Sequence, residues 1–345
     1  MTELIRADRR EDTPDGPRPR VIAVIPAYRA RATLRRVVER TLEVVDLVVG
    51  VDDACPEASA EVVRSFGARV TVCVHSKNRG VGGAMKTGIA QALRMGAAYV
   101  VKLDADDQMD PSYVPRMIEL LERYPEIDMV KGNRFTDAAT VRTMPIARLI
   151  GNAGLTFLVK FSSGYWSLVD PTNGYVAIRA SALDSAELSK LAERYFFETD
   201  LLCLFGLRRR IIAEMEMPAI YGDERSSLSI SRALIGFPPR LFARFVRRIA
   251  FNYFITEINL GSVCAALGFP LLAIALVFGG HEWAISRESG VPRPTGTIIL
   301  ALLLFMIGFQ LSLQALLYDV QFSIRTIKVR GRRSATRPAA VIPFP

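Results

Sequence analysis

Tyr99-Val100-Val101-Lys102-Leu103-Asp104-Ala105-Asp106-Asp107-Gln108 joins a short apolar run directly to a cluster of carboxylates. Such a run, closed by turn-forming acidic residues, reads as a strand whose carboxyl end opens onto a loop. Its neighbours repeat the theme. Further strand-like runs occupy Val21–Pro26, Leu47–Val51, Arg69–Val74 and Met129–Lys131, and helical patterns fill Ala32–Val45, Gly82–Met95 and Pro111–Arg123 between them. Strands alternating with helices predict an α/β domain with a mostly parallel central sheet covered by helices. In such sheets ligands collect beyond the carboxyl ends of the strands, so the residues that follow each run are the ones to read.

Pro26-Ala27-Tyr28 follows the first run and Asp52-Asp53 the second, on the same rim as the acidic loop. Tyr28 can lie against a base, and the Asp53 carboxylate can accept from a base N–H or a ribose hydroxyl. The plainer alternative for either aspartate is a turn former or helix cap. Asp104 and Asp106 are alternate residues leaving a strand and can converge with Gln108 as hard oxygen ligands for Mg²⁺ or Mn²⁺. Asp104, Asp106, Asp107 and Asp110 in one loop would repel one another unless a cation or a basic group sat among them. The alternative is a solvated acidic loop ahead of a helix that starts at Pro111. Asn78-Arg79-Gly80-Val81-Gly82-Gly83-Ala84 follows the third run rather than the first, and Met85 precedes Lys86, so neither a dinucleotide fingerprint nor a Walker loop fits. Its glycines suit a helix that starts close beneath a ligand, with Lys86 either near phosphates or packed structurally.

The composition points to a bilayer. Half of the 345 residues are hydrophobic, and the mean hydropathy is +0.22. A net charge of +9 suits anionic lipid, phosphate-rich ligands or nucleic acid, and does not choose among them. Cys55, Cys73, Cys203 and Cys264 form no C-x-x-C pair, so neither a disulfide framework nor a zinc site is expected. Leu260–Phe278 and Thr297–Leu317 carry no charge, and each approaches the ~20 residues that cross a hydrocarbon core. A turn containing Pro292 and Pro294 separates them, which predicts a transmembrane hairpin; two buried core helices are the alternative. Arg325, Lys328, Arg330, Arg332, Arg333 and Arg337 follow the second span, whereas the connecting turn holds Arg287 and Arg293, so both ends of the chain are expected on the cytoplasmic side. Leu234–Asn252 places Phe237, Leu241, Phe242, Phe245, Ile249 and Phe251 at helical spacing among Arg240, Arg244, Arg247 and Arg248, the pattern of a helix half sunk in headgroups. The expected organisation is therefore a disordered, polar lead-in at 1–19 without a secretory signal, an α/β domain at 20–232, amphipathic juxtamembrane helices at 233–257, a transmembrane hairpin at 258–320 and a basic cytoplasmic tail at 321–345.

Taken together, several motifs resemble family-two glycosyltransferases of the GT-A fold, of the dolichol- and polyprenyl-phosphate sugar synthase type. They are Pro26-Ala27-Tyr28, Asp52-Asp53, Asn78-x-Gly80, Asp104-Ala105-Asp106-x-Gln108, Gly132-Asn133-Arg134, Asp170-Pro171-Thr172-Asn173-Gly174 and Phe197-Glu198-Thr199-Asp200. The resemblance spans roughly Arg20 to Arg325. It implies a nucleotide-sugar donor bound by Pro26, Ala27, Tyr28, Val51, Asp53, Lys86, Asp104, Ala105, Asp106 and Arg225. It also implies a Mg²⁺ or Mn²⁺ ion on Asp104, Asp106 and Gln108, and a polyprenyl phosphate acceptor clamped by Arg134 and Arg148. Asp104, Asp106 and Arg134 are the implied catalytic residues, and one sugar is transferred with inversion at the cytoplasmic face of the cell membrane. No nucleic-acid partner is implied, and homo-oligomerisation stays open. The chain departs from the synthase pattern at Arg29-Ala30, where P-x-Y-N-E is usual, and at Ala54-Cys55, where D-D-G-S is usual. Ile230 stands where the mannose enzymes carry a lysine, although Arg225 or Arg232 could replace it. These departures favour a UDP-sugar over GDP-mannose. A processive polysaccharide synthase would need a Q-x-x-R-W signature, which neither Trp166 nor Trp283 provides. A noncatalytic lipid-carrier-binding or flippase-partner protein would use the hairpin and arginines without needing the acidic rim.

Overall fold

A computed structural model describes residues 20–134, 146–218, 230–329 and 341–342. The strands are β1 (Val21–Ala27), β2 (Leu47–Asp52), β3 (Val70–Val74), β4 (Tyr99–Lys102), β5 (Ile127–Asn133), β6 (Val176–Arg179), β7 (Ile211–Glu216), β8 (Thr326–Val329) and β9 (Val341–Ile342). They form one sheet in the order β3-β2-β1-β4-β6-β5-β7-β8-β9. All described pairings are parallel except those of β6 with β4 and β5, and of β9 with β8. Each run anticipated from sequence is a strand. β6, β7, β8 and β9 are additions, and β6 brings an antiparallel step into the middle of the sheet.

Helices cover both faces. On one face α1 (Arg31–Leu42) and α4 (Val114–Arg123) bury Leu34, Val37, Val38, Met117 and Leu121 against Ile25, Val48 and Val101. On the other, α3 (Gly80–Arg94) and α7 (Phe197–Leu207) bury Met85, Ile89, Phe197 and Leu201 against Val24, Val51 and Ile178. The short elements of this part of the fold include α2 (Ser59–Arg64), α6 (Ser185–Ser189) and a 3-10 turn at Pro111–Tyr113. The 3-10 turn leads into α4 and is capped by Asp110, whose side chain accepts the Ser112 N–H. This is the expected helix start at Pro111, displaced by one turn.

α5 (Ile146–Ser163) and α8 (Ile230–Ala250) pack together beneath this domain, and a π-helical turn at Phe251–Thr256 leads to α9 (Leu260–Ser289). An Asn259–Ser262 capping box starts α9, and Gly290 in the left-handed region ends it. α10 (Thr295–Gln321) returns antiparallel, and both helices are long and apolar enough to cross a membrane. They approach closely: a Cβ on Gly268 would stand 2.5 Å from the Ser312 backbone nitrogen, and one on Gly308 2.5 Å from that of Leu272. Their outer faces expose Val277, Leu300, Leu302 and Leu303, which is the surface expected of helices in lipid rather than in water.

The structure changes two expectations. The segment read as a basic tail contributes β8, which pairs in parallel with β7, so the chain re-enters the central sheet after the hairpin. The arginines of α8 also divide. Arg244 turns inward to the buried carboxylate of Asp200 (2.6 Å) and Arg248 to that of Asp319 (2.7 Å), leaving Arg240 and Arg247 outside beside exposed Phe242 and Val246. A buried carboxylate requires a cationic or hydrogen-bonding partner, and that requirement draws two arginines away from a headgroup role.

Candidate active site

The carboxyl ends of β4 and β5 and the start of α7 enclose an open cleft of about 820 Å³, lined by Asp104, Asp106, Gln108, Arg134, Thr172 and Glu198 among others. Behind Asp104 and Glu198 of this lining lies Lys102, the last residue of β4 and almost fully buried. Its Nζ donates to Asp104 Oδ1 at 2.7 Å and stands 2.7 Å from Glu198 Oε1. Burial opposes its charge, yet Asp104 and Glu198 outweigh burial and hold the ammonium above its usual pKa. For Asp104 burial dominates and raises the carboxyl above its usual range, with Glu198 and Asp106 adding repulsion and Lys102 working against them. Glu198 is also desolvated, but Lys102, together with Lys131 and Arg134, keeps it below the usual range.

Lys131 on β5 is the counterpart of Lys102: both pair in register with Val176 of β6, from opposite sides. Its Nζ donates to the Asn173 carbonyl. Burial lowers its pKa to about 8, while Asp170 and Glu198 resist the shift. Neither lysine nor Glu198 was given a role from sequence. The signal was present, since a lysine inside a run otherwise made of Tyr99, Val100, Val101 and Leu103 must find carboxylates in the fold.

The acidic loop separates into two halves. Asp107, in the left-handed region at φ 61°, pairs with Arg36 (2.7 Å) and Arg40 (3.1 Å) of α1, and Asp110 pairs with Arg40 at 2.7 Å. The basic groups that the repulsion argument called for therefore come from α1 and from Lys102, so repulsion by itself does not require a metal. Asp104 and Asp106 face the cleft. Asp106 Oδ1 accepts the Gln108 N–H at 3.0 Å. Among the described residues no hydrogen bond engages Asp104 Oδ2, Asp106 Oδ2 or the Gln108 side chain, which leaves hard oxygen atoms directed at the cleft. That donor set fits a Mg²⁺ or Mn²⁺ ion completed by ligand oxygens and water. No group of three or more His, Cys, Asp or Glu residues placed to hold a metal occurs among the described residues.

Arg134 stands at the end of β5, half exposed, where Asp170 holds it: Nε donates to Oδ2 at 2.9 Å and Nη2 to Oδ1 at 3.2 Å. Asp170 is 0% exposed, and its own N–H and that of Val169 donate to Glu214 of β7, at 2.8 Å each. A bidentate carboxylate fixes the plane of a guanidinium.

At the β1–β2 end of the rim, Tyr28 is 43% exposed, next to Pro26 and buried Ala27. Val51, expected from the resemblance to border a donor, is wholly buried, backbone included, between β1 and β3, and so presents no surface to a ligand. Asp52 takes the capping alternative, accepting from the N–H groups of Cys55 and Ala60. Asp53 holds the start of α3 through the N–H groups of Arg79 (2.9 Å) and Gly80 (2.7 Å), and meets His75 Nδ1 at 2.7 Å. His75 Nε2 faces Thr87 Oγ1 at 2.9 Å, so this histidine belongs to the rim. Lys86 resolves to its structural alternative, because its ammonium donates to the carbonyls of Ser189 (3.2 Å) and Leu191 (2.9 Å). Ala105 is nearly buried, its carbonyl accepting from Thr33 Oγ1 at 2.6 Å. The side chains of Arg148 and Arg232 and the whole of Arg225 lie outside the described residues, as do 1–19 and the basic residues after Lys328.

A parallel sheet that ends in an Asp-x-Asp loop, with an arginine set on the next parallel strand, defines a transferase domain of the GT-A type. A family model for glycosyl transferase family 2 matches residues 22–186. The chain is 31% identical over 178 residues to an uncharacterised protein of Methanocaldococcus jannaschii, covering 51% of this chain and 71% of that one. It is 26% identical over 242 residues to the UDP-N-acetylglucosamine–dolichyl-phosphate N-acetylglucosaminyltransferase of Methanococcus voltae, covering 66% and 94%. It is 29% identical over 192 residues to the polyprenol monophosphomannose synthase of Mycolicibacterium smegmatis, covering 54% and 71%. The chain belongs to glycosyl transferase family 2 and is a glycosyltransferase, which sets aside the noncatalytic alternative.

Proposed function

We propose that this enzyme transfers a single sugar, with inversion, from a nucleotide-sugar to polyprenyl phosphate at the cytoplasmic face of a membrane that the α9–α10 hairpin spans. One observation carries the reading. Arg134, held rigid by a fully buried aspartate, shares a cleft with the free oxygens of Asp104 and Asp106, above two helices whose outer faces are apolar. A cleft with one cationic and one carboxylate wall suits two phosphate-bearing substrates, one bound directly and one through a cation. The relatives from M. voltae and M. smegmatis carry names with dolichyl phosphate and polyprenol acceptors, which supports a lipid phosphate here.

Asp104, Asp106 and Gln108 would hold Mg²⁺ or Mn²⁺, which would supply positive charge to the departing nucleoside diphosphate. Pro26 and Tyr28 border the nucleoside, and Asp53 keeps the rim in shape through α3. Arg134 orients the lipid phosphate so that one of its oxygens attacks the anomeric carbon on the face opposite the leaving group; the new C–O bond forms as the bond to the diphosphate breaks. A phosphate monoester has a second pKa near ~6 and is largely dianionic at neutral pH, so the step needs no strong base. Glu198, tied to Lys102, adds fixed negative charge beside the anomeric region, where positive charge develops. A UDP-sugar is the favoured donor, because the sequence lacks the lysine of the mannose enzymes at Ile230. The name of the mycobacterial relative keeps GDP-mannose as the second candidate.

Arg134→Ala is expected to leave donor KM unchanged and lower kcat/KM for the lipid acceptor by about 10- to 100-fold, the equivalent of a charge-assisted phosphate contact. Initial rates with each substrate varied in turn would show it. Unchanged acceptor kinetics would remove Arg134 from the clamp.

A further inference from the structure

Distant parts of the chain converge on one carboxylate, that of Asp319, two residues before α10 ends and 5% exposed. Arg248 of α8 pairs with it twice, Nη1 to Oδ1 at 2.7 Å and Nη2 to Oδ2 at 2.8 Å. The Tyr253 hydroxyl donates to Oδ1 at 2.9 Å and the Trp166 indole N–H to Oδ2 at 3.1 Å, so both oxygens are fully used. Arg248 also caps α5, donating through Nε to the Ser162 carbonyl at 3.1 Å and through Nη2 to that of Phe161 at 2.9 Å. Phe161 stacks on Phe245 at 4.0 Å, and Trp166 meets Phe157 edge-on at 5.8 Å. Phe157, Phe242, Phe254 and Ile255 close to this cluster are exposed, which sets it at the level where the domain meets the apolar hairpin.

Four residues beyond Trp166 comes Asp170, which holds Arg134 and is itself held through Glu214. The connecting segment is pinned by Leu168, 0% exposed in the core. The last span and the phosphate-facing arginine are thus joined through one ionic cluster and one short buried segment. Replacing a buried ion pair with apolar groups of similar size commonly costs little stability, so what this cluster adds beyond attachment is fixed geometry.

We propose that Asp319, with Arg248 and Trp166, is a positioning group that sets the height and tilt of the Arg134 clamp over the bilayer, so that the hairpin acts in acceptor presentation as well as in anchoring. The inference rests on the reading of Arg134 as a lipid-phosphate ligand. It assigns no chemical role to Asp319. It predicts that loss of the cluster affects an acceptor embedded in a bilayer and spares one that arrives from water.

The test uses the full chain in lipid nanodiscs, comparing Asp319→Leu with the parent for donor binding, for transfer to long-chain polyprenyl phosphate in the disc and for transfer to a short, water-soluble prenyl phosphate. Trp283→Phe in both leaves Trp166 as the only tryptophan, and its emission reports whether the cluster has opened. The expected result is shifted Trp166 emission, donor affinity and soluble-acceptor kcat/KM within about threefold, and bilayer-acceptor kcat/KM lower by about 10- to 100-fold, the scale of an ångström-level misplacement. Asp319→Asn keeps one acceptor oxygen and removes the charge; it should give the same split at smaller size and serves where the leucine variant does not fold. Shifted emission with both acceptors used at the parental rate would overturn the proposal. A parallel loss of donor binding and both transfers in the asparagine variant would show a merely structural role and overturn it as well. If the parent transfers to neither acceptor, the lipid-phosphate reading fails and the proposal falls with it, whatever the emission shows.

Discussion

Asp104→Asn should abolish sugar transfer, lowering kcat by about 10³-fold or more, while the protein folds as before. The magnitude follows from the several kcal/mol of transition-state charge stabilisation that a bound cation supplies and that this carboxylate would hold in place. Folding should be spared because an asparagine is isosteric and its carbonyl can still accept from Lys102 Nζ, now 2.7 Å from Asp104 Oδ1. Radiolabelled transfer, thermal unfolding and Mn²⁺ binding by titration on one preparation would separate these effects. Turnover at the parental rate would remove Asp104 from the metal and diphosphate site.

The second large effect is on stability. Lys102→Met leaves Asp104 and Glu198, 31% and 27% exposed at their side chains, without the cation they share. Removing one partner of a buried pair typically costs 3–5 kcal/mol, and partial exposure of both carboxylates puts this case at about 3 kcal/mol. For a domain of this size that corresponds to a fall in thermal midpoint of roughly 6–12 °C. Scanning fluorimetry in the same detergent would measure it. A midpoint within a degree or two of the parent's would mean that the lysine is not the counter-charge that holds Asp104 and Glu198 together.

The contrast between these variants follows the division between what local sequence shows and what only the fold reveals. β1 to β5 and, between them, α1, α3 and α4 are legible because apolar runs of strand length, closed by Pro26, Asp52 or Asp104, alternate with helical spacing. The hairpin is legible because length and hydropathy alone define it. β8 is not: its four residues after α10 gain strand character only by pairing with β7, more than a hundred positions earlier. The arginines of α8 show the same limit, since the spacing of Arg244 and Arg248 is the same whether they meet headgroups or the buried carboxylates of Asp200 and Asp319.

At the site, Asp104, Asp106, Gln108 and Arg134 do line one cleft, because strand ends and the residues directly after them share a rim. Lys102, Glu198 and His75 required tertiary partners to acquire a role. Lys102 lies two residues from Asp104 but nearly a hundred from Glu198, and His75 gains significance only through Asp53 and Thr87. Asp107 and Asp110 share the composition of Asp104 and Asp106 and differ in facing Arg36 and Arg40, a distinction that depends on where α1 packs.

The most direct measurement is transfer of label from a panel of UDP- and GDP-sugars into organic-extractable polyprenyl phosphate, by the full chain in native-like membrane, with Mn²⁺ or with chelator. The account predicts metal-dependent labelled lipid from a UDP-sugar, abolished by Asp104→Asn and reduced by Arg134→Ala. Labelled lipid formed equally well in chelator would contradict the metal site, and label that reaches only a water-soluble product would contradict the lipid phosphate acceptor.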